Sequence, residues 1–118
     1  MSYVYCASLL GVIGFQVALI LGAPWGRITQ GGQVDGPLPL AGRLIAAVSI
    51  VILICMALAI LSTAGRWPGW PAWTAWAALG MNAVMMILNW ITPSVPERRL
   101  WGPITTVLFG MALAVHLA

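Results

Sequence analysis

Four stretches of the chain hold no Asp, Glu, Lys or Arg: about Tyr3 to Leu21, Leu44 to Leu61, Trp73 to Ile91, and Pro103 to Ala118. This pattern limits the fold more than any other feature. A water-soluble domain needs charge over its surface, roughly 25% of its residues. Here charged residues make up 6% of 118, against 62% hydrophobic. A bilayer removes the conflict, because about 20 apolar residues in a helix cross its hydrocarbon layer. The first three stretches have that length. The fourth, at 1.5 Å per residue, reaches only about 24 Å. It must extend back through Leu100 and Trp101 or lie in thinned bilayer. None alternates with a period of two, which argues against a β-barrel. The expected fold is all-α. It is an integral membrane bundle of four transmembrane helices, one domain over residues 1–118, with a short interfacial helical turn before the fourth.

Local signals place the ends. Gly22-Ala23-Pro24-Trp25-Gly26 reads as a helix stop with an interfacial tryptophan. The loop from Arg27 to Leu40 is broken by Gly31, Gly32, Gly36, Pro37 and Pro39. Gly65 reads as a C-terminal cap, and the short link after it makes the second and third helices antiparallel neighbours. Ser94-Val95-Pro96-Glu97 fits a capping box and predicts a helical turn from about Val95 to Trp101. Pro103 then either starts the fourth helix or lies inside a continuous one. No signal-peptide pattern precedes the first segment, which is expected to remain in the mature protein.

The net charge is +3, and every cation is an arginine. So few charges cannot neutralise a row of phosphates, so no nucleic-acid partner is expected. Arg27, Arg43, Arg98 and Arg99 fall in or beside loops one and three, whereas loop two holds Arg66. The positive-inside rule then puts loops one and three in the cytoplasm and both termini outside.

Several residues carry chemistry. Gly102, Thr106, Gly110 and Ala114 recur every four residues, and Gly11, Gly14, Ala18 and Gly22 share nearly one stripe. Small residues let helix backbones approach in lipid, so these are candidate seams within the chain or between copies. Asn82 and Asn89 lie seven apart on one helix face. They read either as a polar pathway with Gln16 or as interhelical bonds to Gln16, Ser49, Thr105 or Thr106. No Asp, Glu, Lys or Arg falls inside a predicted span, which argues against a proton relay. Trp67, Trp70, Trp73 and Trp76 read as an interfacial belt rather than an aromatic box. His116 lacks a second metal ligand, and Cys6 and Cys55 read as apolar fillers at different depths, so no metal or cofactor is expected. Arg27, Asp35, Arg43, Glu97, Arg98 and Arg99 form a polar cluster able to hold an anionic headgroup or to supply topology signals and local ion pairs.

The residues Gly22 to Gly26, Gly31-Gly32, Leu38-Pro39 and Arg43, with Thr92-Pro93-Ser94 and Glu97-Arg98 to Trp101-Gly102-Pro103, resemble a group of small bacterial integral membrane proteins. The resemblance implies four helices in a bacterial inner membrane and no particular activity. With no catalytic motif present, the leading expectation is a non-enzymatic bundle. It would pack through its seams against copies of itself or other membrane subunits. A homo-oligomeric passive channel or carrier along Asn82, Asn89 and Gln16 is the alternative. A lipid-modifying enzyme using Asp35 or Glu97 is the third.

Overall fold

The computed structural model describes residues 2–30 and 36–117, apart from the Arg27 side chain. Four α-helices account for most of the described residues: α1 (Ser2–Ile20), α2 (Leu40–Thr63), α3 (Ala72–Ile91) and α4 (Val95–Leu117). All four are long and apolar enough to cross a membrane, and no strand occurs among the described residues. The longest dimension is 42 Å. It matches the roughly 40–45 Å of a bilayer with its headgroup regions.

The helix ends follow from named residues. Gly22 and Gly65 both take left-handed backbone, with φ of 99° and 78°. The amide of Ala23 donates to Ala18 O and that of Arg66 to Leu61 O, each at 3.0 Å. These bonds give the last carbonyls of α1 and α2 partners they would otherwise lack. At the other end of loop three, the Glu97 amide donates to Ser94 Oγ at 3.3 Å and the Arg98 amide to Ser94 O at 3.0 Å. Ser94 is therefore the N-cap of α4. Ser94→Ala is expected to lower stability by about 1 kcal/mol, as N-cap removal generally does. Urea unfolding in detergent would measure it, and a change under about 0.3 kcal/mol would deny Ser94 that role.

The predicted turn from Val95 to Trp101 is not a separate element. It forms the opening turns of α4, which runs unbroken through Pro103. The fourth helix is thus about 34 Å long, not 24 Å. The helices reach beyond the predicted spans and take in charged residues at their ends: Arg43 in α2, and Glu97, Arg98 and Arg99 in α4. Glu97 is buried.

α1 packs chiefly on α2, and α3 chiefly on α4, giving two helical hairpins that meet more sparsely. Gly102 makes the second hairpin close. A Cβ there would stand 3.0 Å from the Trp90 ring, and Trp90 Nε1 donates to Thr106 Oγ1 at 2.8 Å. The main core gathers Tyr5, Leu9, Met56, Ile60, Ala112 and Val115. By chain order these lie toward loop two. The same end is tied by Arg66, whose guanidinium donates to Tyr3 OH at 2.8 Å and lies 4.1 Å from that ring's centre. Of the tryptophans beside loop two, Trp67, Trp73 and Trp76 are exposed, and Trp76 meets the His116 ring edge-on at 4.3 Å. Cys6 and Cys55 are free thiols.

Candidate functional site

The opposite half of the bundle packs less fully: beside a smaller buried cluster of Leu19, Leu38 and Ala46 it contains open space. A partly enclosed cavity of about 590 Å³ lies between the two hairpins, bounded by loops one and three. Its size falls in the range of small-molecule sites, roughly 300–1,000 Å³. Ala59, Ala78 and Ala112 belong to the core at the loop-two end, whereas Phe15, Trp101 and several polar side chains border the open space.

Loop one roofs the cavity through aromatic contacts. A 3-10 turn at Gly26–Ile28 brings the Ile28 carbonyl to Trp101 Nε1, which donates to it at 2.8 Å. Phe15 stacks on Trp25 at 5.5 Å and meets Trp101 edge-on at 4.7 Å. Gln30, in left-handed backbone at φ 49°, donates from Nε2 to Gly42 O at 2.8 Å. Arg43 Nε donates to Leu38 O at 2.9 Å, closing the far end of the same loop.

The lining is mixed. α1 supplies Gln16, α2 Ser49, α3 Asn89, and α4 Glu97 and Thr105, with Thr29 and Thr92 from the loops. Apolar walls come from Phe15, Met85, Leu88, Trp101 and Leu108. Thr29, Thr92, Glu97 and Thr105 are buried as residues yet border this space. Glu97 has an interaction within the fold. It is the one charged side chain among the described lining residues.

The sequence-derived candidates separate in space. Gln16 and Asn89 line the cavity together, with Glu97. Asn82 does not join them. It is 1% exposed in the core and donates from Nδ2 to Tyr5 OH at 2.7 Å and to Ala78 O at 2.8 Å. Its Oδ1 is buried without a partner. Asn89 Nδ2 donates to Met85 O at 2.7 Å, one turn back on its own helix. The expected bonds from either amide to Gln16, Ser49, Thr105 or Thr106 are not the ones formed. Tyr5 is the partner that periodicity missed. It sits near the start of α1, diagonally across the bundle from α3, and no sequence spacing marks a diagonal pair.

Of the polar cluster, Arg43 and Glu97 sit on the loop-facing ends of α2 and α4, whereas Arg98 and Arg99 follow Glu97 outside the cavity lining. Asp35, Gly31, Gly32 and the Arg27 side chain lie outside the described residues. The seam residues also divide. Gly102 and Thr106 meet Trp90, but a Cβ on Gly11, Gly14 or Gly110 would meet nothing within 4 Å. Ala114 is exposed and Ala18 half-buried. Among the described residues no group of three or more His, Cys, Asp or Glu is placed to hold a metal. No known protein family, curated protein or solved structure matches the chain.

Proposed function

We propose that the chain is a multi-pass membrane protein that holds a small molecule in the cavity between its two hairpins, as a binding protein or carrier without catalysis. One observation carries this reading. Polar side chains from all four helices converge on about 590 Å³ of space inside an otherwise apolar bundle. Polar groups in a membrane interior cost free energy unless partnered, so their gathering around a void is the mark of a site. On its inner side the cavity is bordered by Val12 and Leu108, which belong to the packed core. The arginine distribution points its mouth toward the cytoplasm, and the resemblance points to a bacterial inner membrane.

Native mass spectrometry from mild detergent tests the reading. A one-to-one small-molecule or lipid adduct is expected, lost in Gln16→Phe, which fills the space, and kept in Val48→Phe on the exposed face of α2. Absence of any adduct from the parent protein, or equal retention in both variants, would count against it.

A second reading concerns self-association. The open surfaces at Gly11, Gly14 and Gly110 favour close approach of a second copy. Gly11→Leu with Gly110→Leu is expected to shift a dimer to monomer by light scattering in detergent. A monomeric parent protein would remove this reading and leave the cavity unaffected.

A further inference from the structure

On the premise that the chain spans a membrane and holds a ligand in the cavity, we propose that the ligand is a membrane phospholipid, one acyl chain of which enters sideways between α1 and α4. A second space leads to this reading. An apolar groove of about 320 Å³ is lined by Ser8 of α1 and by Pro103, Ile104, Val107, Leu108 and Met111 of α4. It lies where α1 and α4 meet, more sparsely than the helices within either hairpin. Its one polar side chain is spent, because Ser8 Oγ donates to Val4 O at 2.9 Å. Pro103 and Val107 are exposed, so the groove opens on the outer face of the bundle. Beside a helix that crosses a membrane, the solvent at that face is acyl chain.

Groove and cavity share Leu108. On α4 the cavity takes Glu97, Trp101, Thr105 and Leu108, spaced by three or four residues along one face. The groove takes the neighbouring face, and Leu108 stands on the edge between them. An acyl chain in the groove therefore reaches the cavity by displacing that side chain. By chain order the inner wall of the cavity is Val12, Met85 and Leu108, all apolar. Donors nearer the loops are occupied. Asn89 Nδ2 donates to Met85 O at 2.7 Å, Ser49 Oγ to Ile45 O at 2.9 Å, and Thr105 Oγ1 to Trp101 O at 2.6 Å. Glu97 is engaged within the fold as well. An alkyl chain strands none of these groups. Water against the inner wall would need about two to four polar partners for each molecule, and an empty space would forfeit dispersion contacts. Arg99 sets the head of the lipid. It is exposed, lies in the opening turns of α4, and precedes Pro103 and Val107 on the same stripe. A guanidinium at the top of the groove suits the phosphate, whose oxygens it meets with paired donors.

The experiment reconstitutes the full chain in phosphatidylcholine vesicles that include phosphatidylcholine with a diazirine on its acyl chain. Photolysis and peptide mass spectrometry then map the adducts. Adducts at Val12 and Thr105 are expected, because both are buried and border the cavity, where a chain must be inside to reach them. Val107→Trp, on the exposed side of the groove, is expected to cut these adducts by about tenfold, since an added ring takes the space of the chain. Val48→Trp, on the exposed face of α2, is expected to leave them unchanged. Diacylglycerol with the same diazirine chain should label the cavity about threefold less, the modest effect of an exposed charge pair. Arg99→Gln should bring the phospholipid down to that level. The lipid series needs no variant, so it decides the question even if Val107→Trp does not fold. Labels confined to outward-facing residues overturn the acyl chain. The cavity then survives as a site if the native mass spectrum still shows a small adduct lost in Gln16→Phe, and falls if no adduct appears. Equal cavity labelling in Val107→Trp overturns the sideways entry, and equal labelling by diacylglycerol overturns the phosphate.

Discussion

Trp101→Ala is expected to destabilise the protein by about 2 kcal/mol and to unroof the cavity. In a water-soluble core, such a truncation costs roughly 3–5 kcal/mol. Much of that is transfer of the ring from water, and helices that separate in lipid do not undergo it. What remains is specific contact. The edge-on meeting with Phe15 at 4.7 Å adds about 1 kcal/mol, as aromatic pairs do. The bond from Nε1 to the Ile28 carbonyl adds about 1 kcal/mol more. Trp101→Phe keeps a ring and loses the bond, so about half the loss should return. Thermal unfolding in detergent measures stability, and cysteine labelling of a Thr29→Cys variant measures the roof. Thr29 is buried, so its labelling should rise in Trp101→Ala. Unchanged labelling would mean that loop one is held by Arg43 and Gln30 without help from Trp101.

That roof also marks where sequence reasoning stopped. The four helices were readable because solvent decides them: a charge-free run of about 20 residues has few alternatives to a membrane helix. Gly22 and Gly65 were readable as stops because left-handed backbone favours glycine, and Ser94 because a capping box is local. The sequence leaves the start of α4 open between Pro103 and a helix continuous with the turn from Val95, and the continuous helix forms, with Glu97, Arg98 and Arg99 in its first turns. They sit in a helix because Ser94 caps it, the Glu97 amide donates to the cap, and Pro96 in the first turn costs no hydrogen bond.

The lining of the candidate site was half readable. Gln16 and Asn89 stand out as amides in apolar runs, and both reach the cavity. Asn82 carries the same signal and belongs to the core. Nothing local distinguishes the two asparagines, since each donates to the carbonyl four residues before it. Their difference is depth: Asn82 is buried in the core beside Ala78, and Asn89 borders the cavity. Thr29 and Thr92, in loops without periodicity, gave no signal. The Trp101–Ile28 bond joins residues 73 apart in sequence, a separation at which no pattern reports.

The closed half buries a polar pair, Tyr5 and Asn82, and removing it should show how much the pair contributes. Tyr5→Ala is expected to cost about 3 kcal/mol, the low end for deleting a buried aromatic, because Tyr5 is fully buried among Leu9, Ile60 and Ala112. Tyr5→Phe isolates the hydroxyl. Its bond from Asn82 at 2.7 Å joins two helices apolar enough to cross a membrane, and in membranes such bonds average about 0.6 kcal/mol because separated helices find other partners. Here the loss should be nearer 1 kcal/mol. Both residues are sealed from other partners, and Asn82 Oδ1 already lacks one. Asn82→Leu should cost a similar amount by leaving the Tyr5 hydroxyl alone. The double variant should cost less than the sum, since it leaves neither group stranded. Additive losses in the double-mutant cycle would show that the two side chains do not sense each other. The closed end would then owe its packing to the apolar contacts alone.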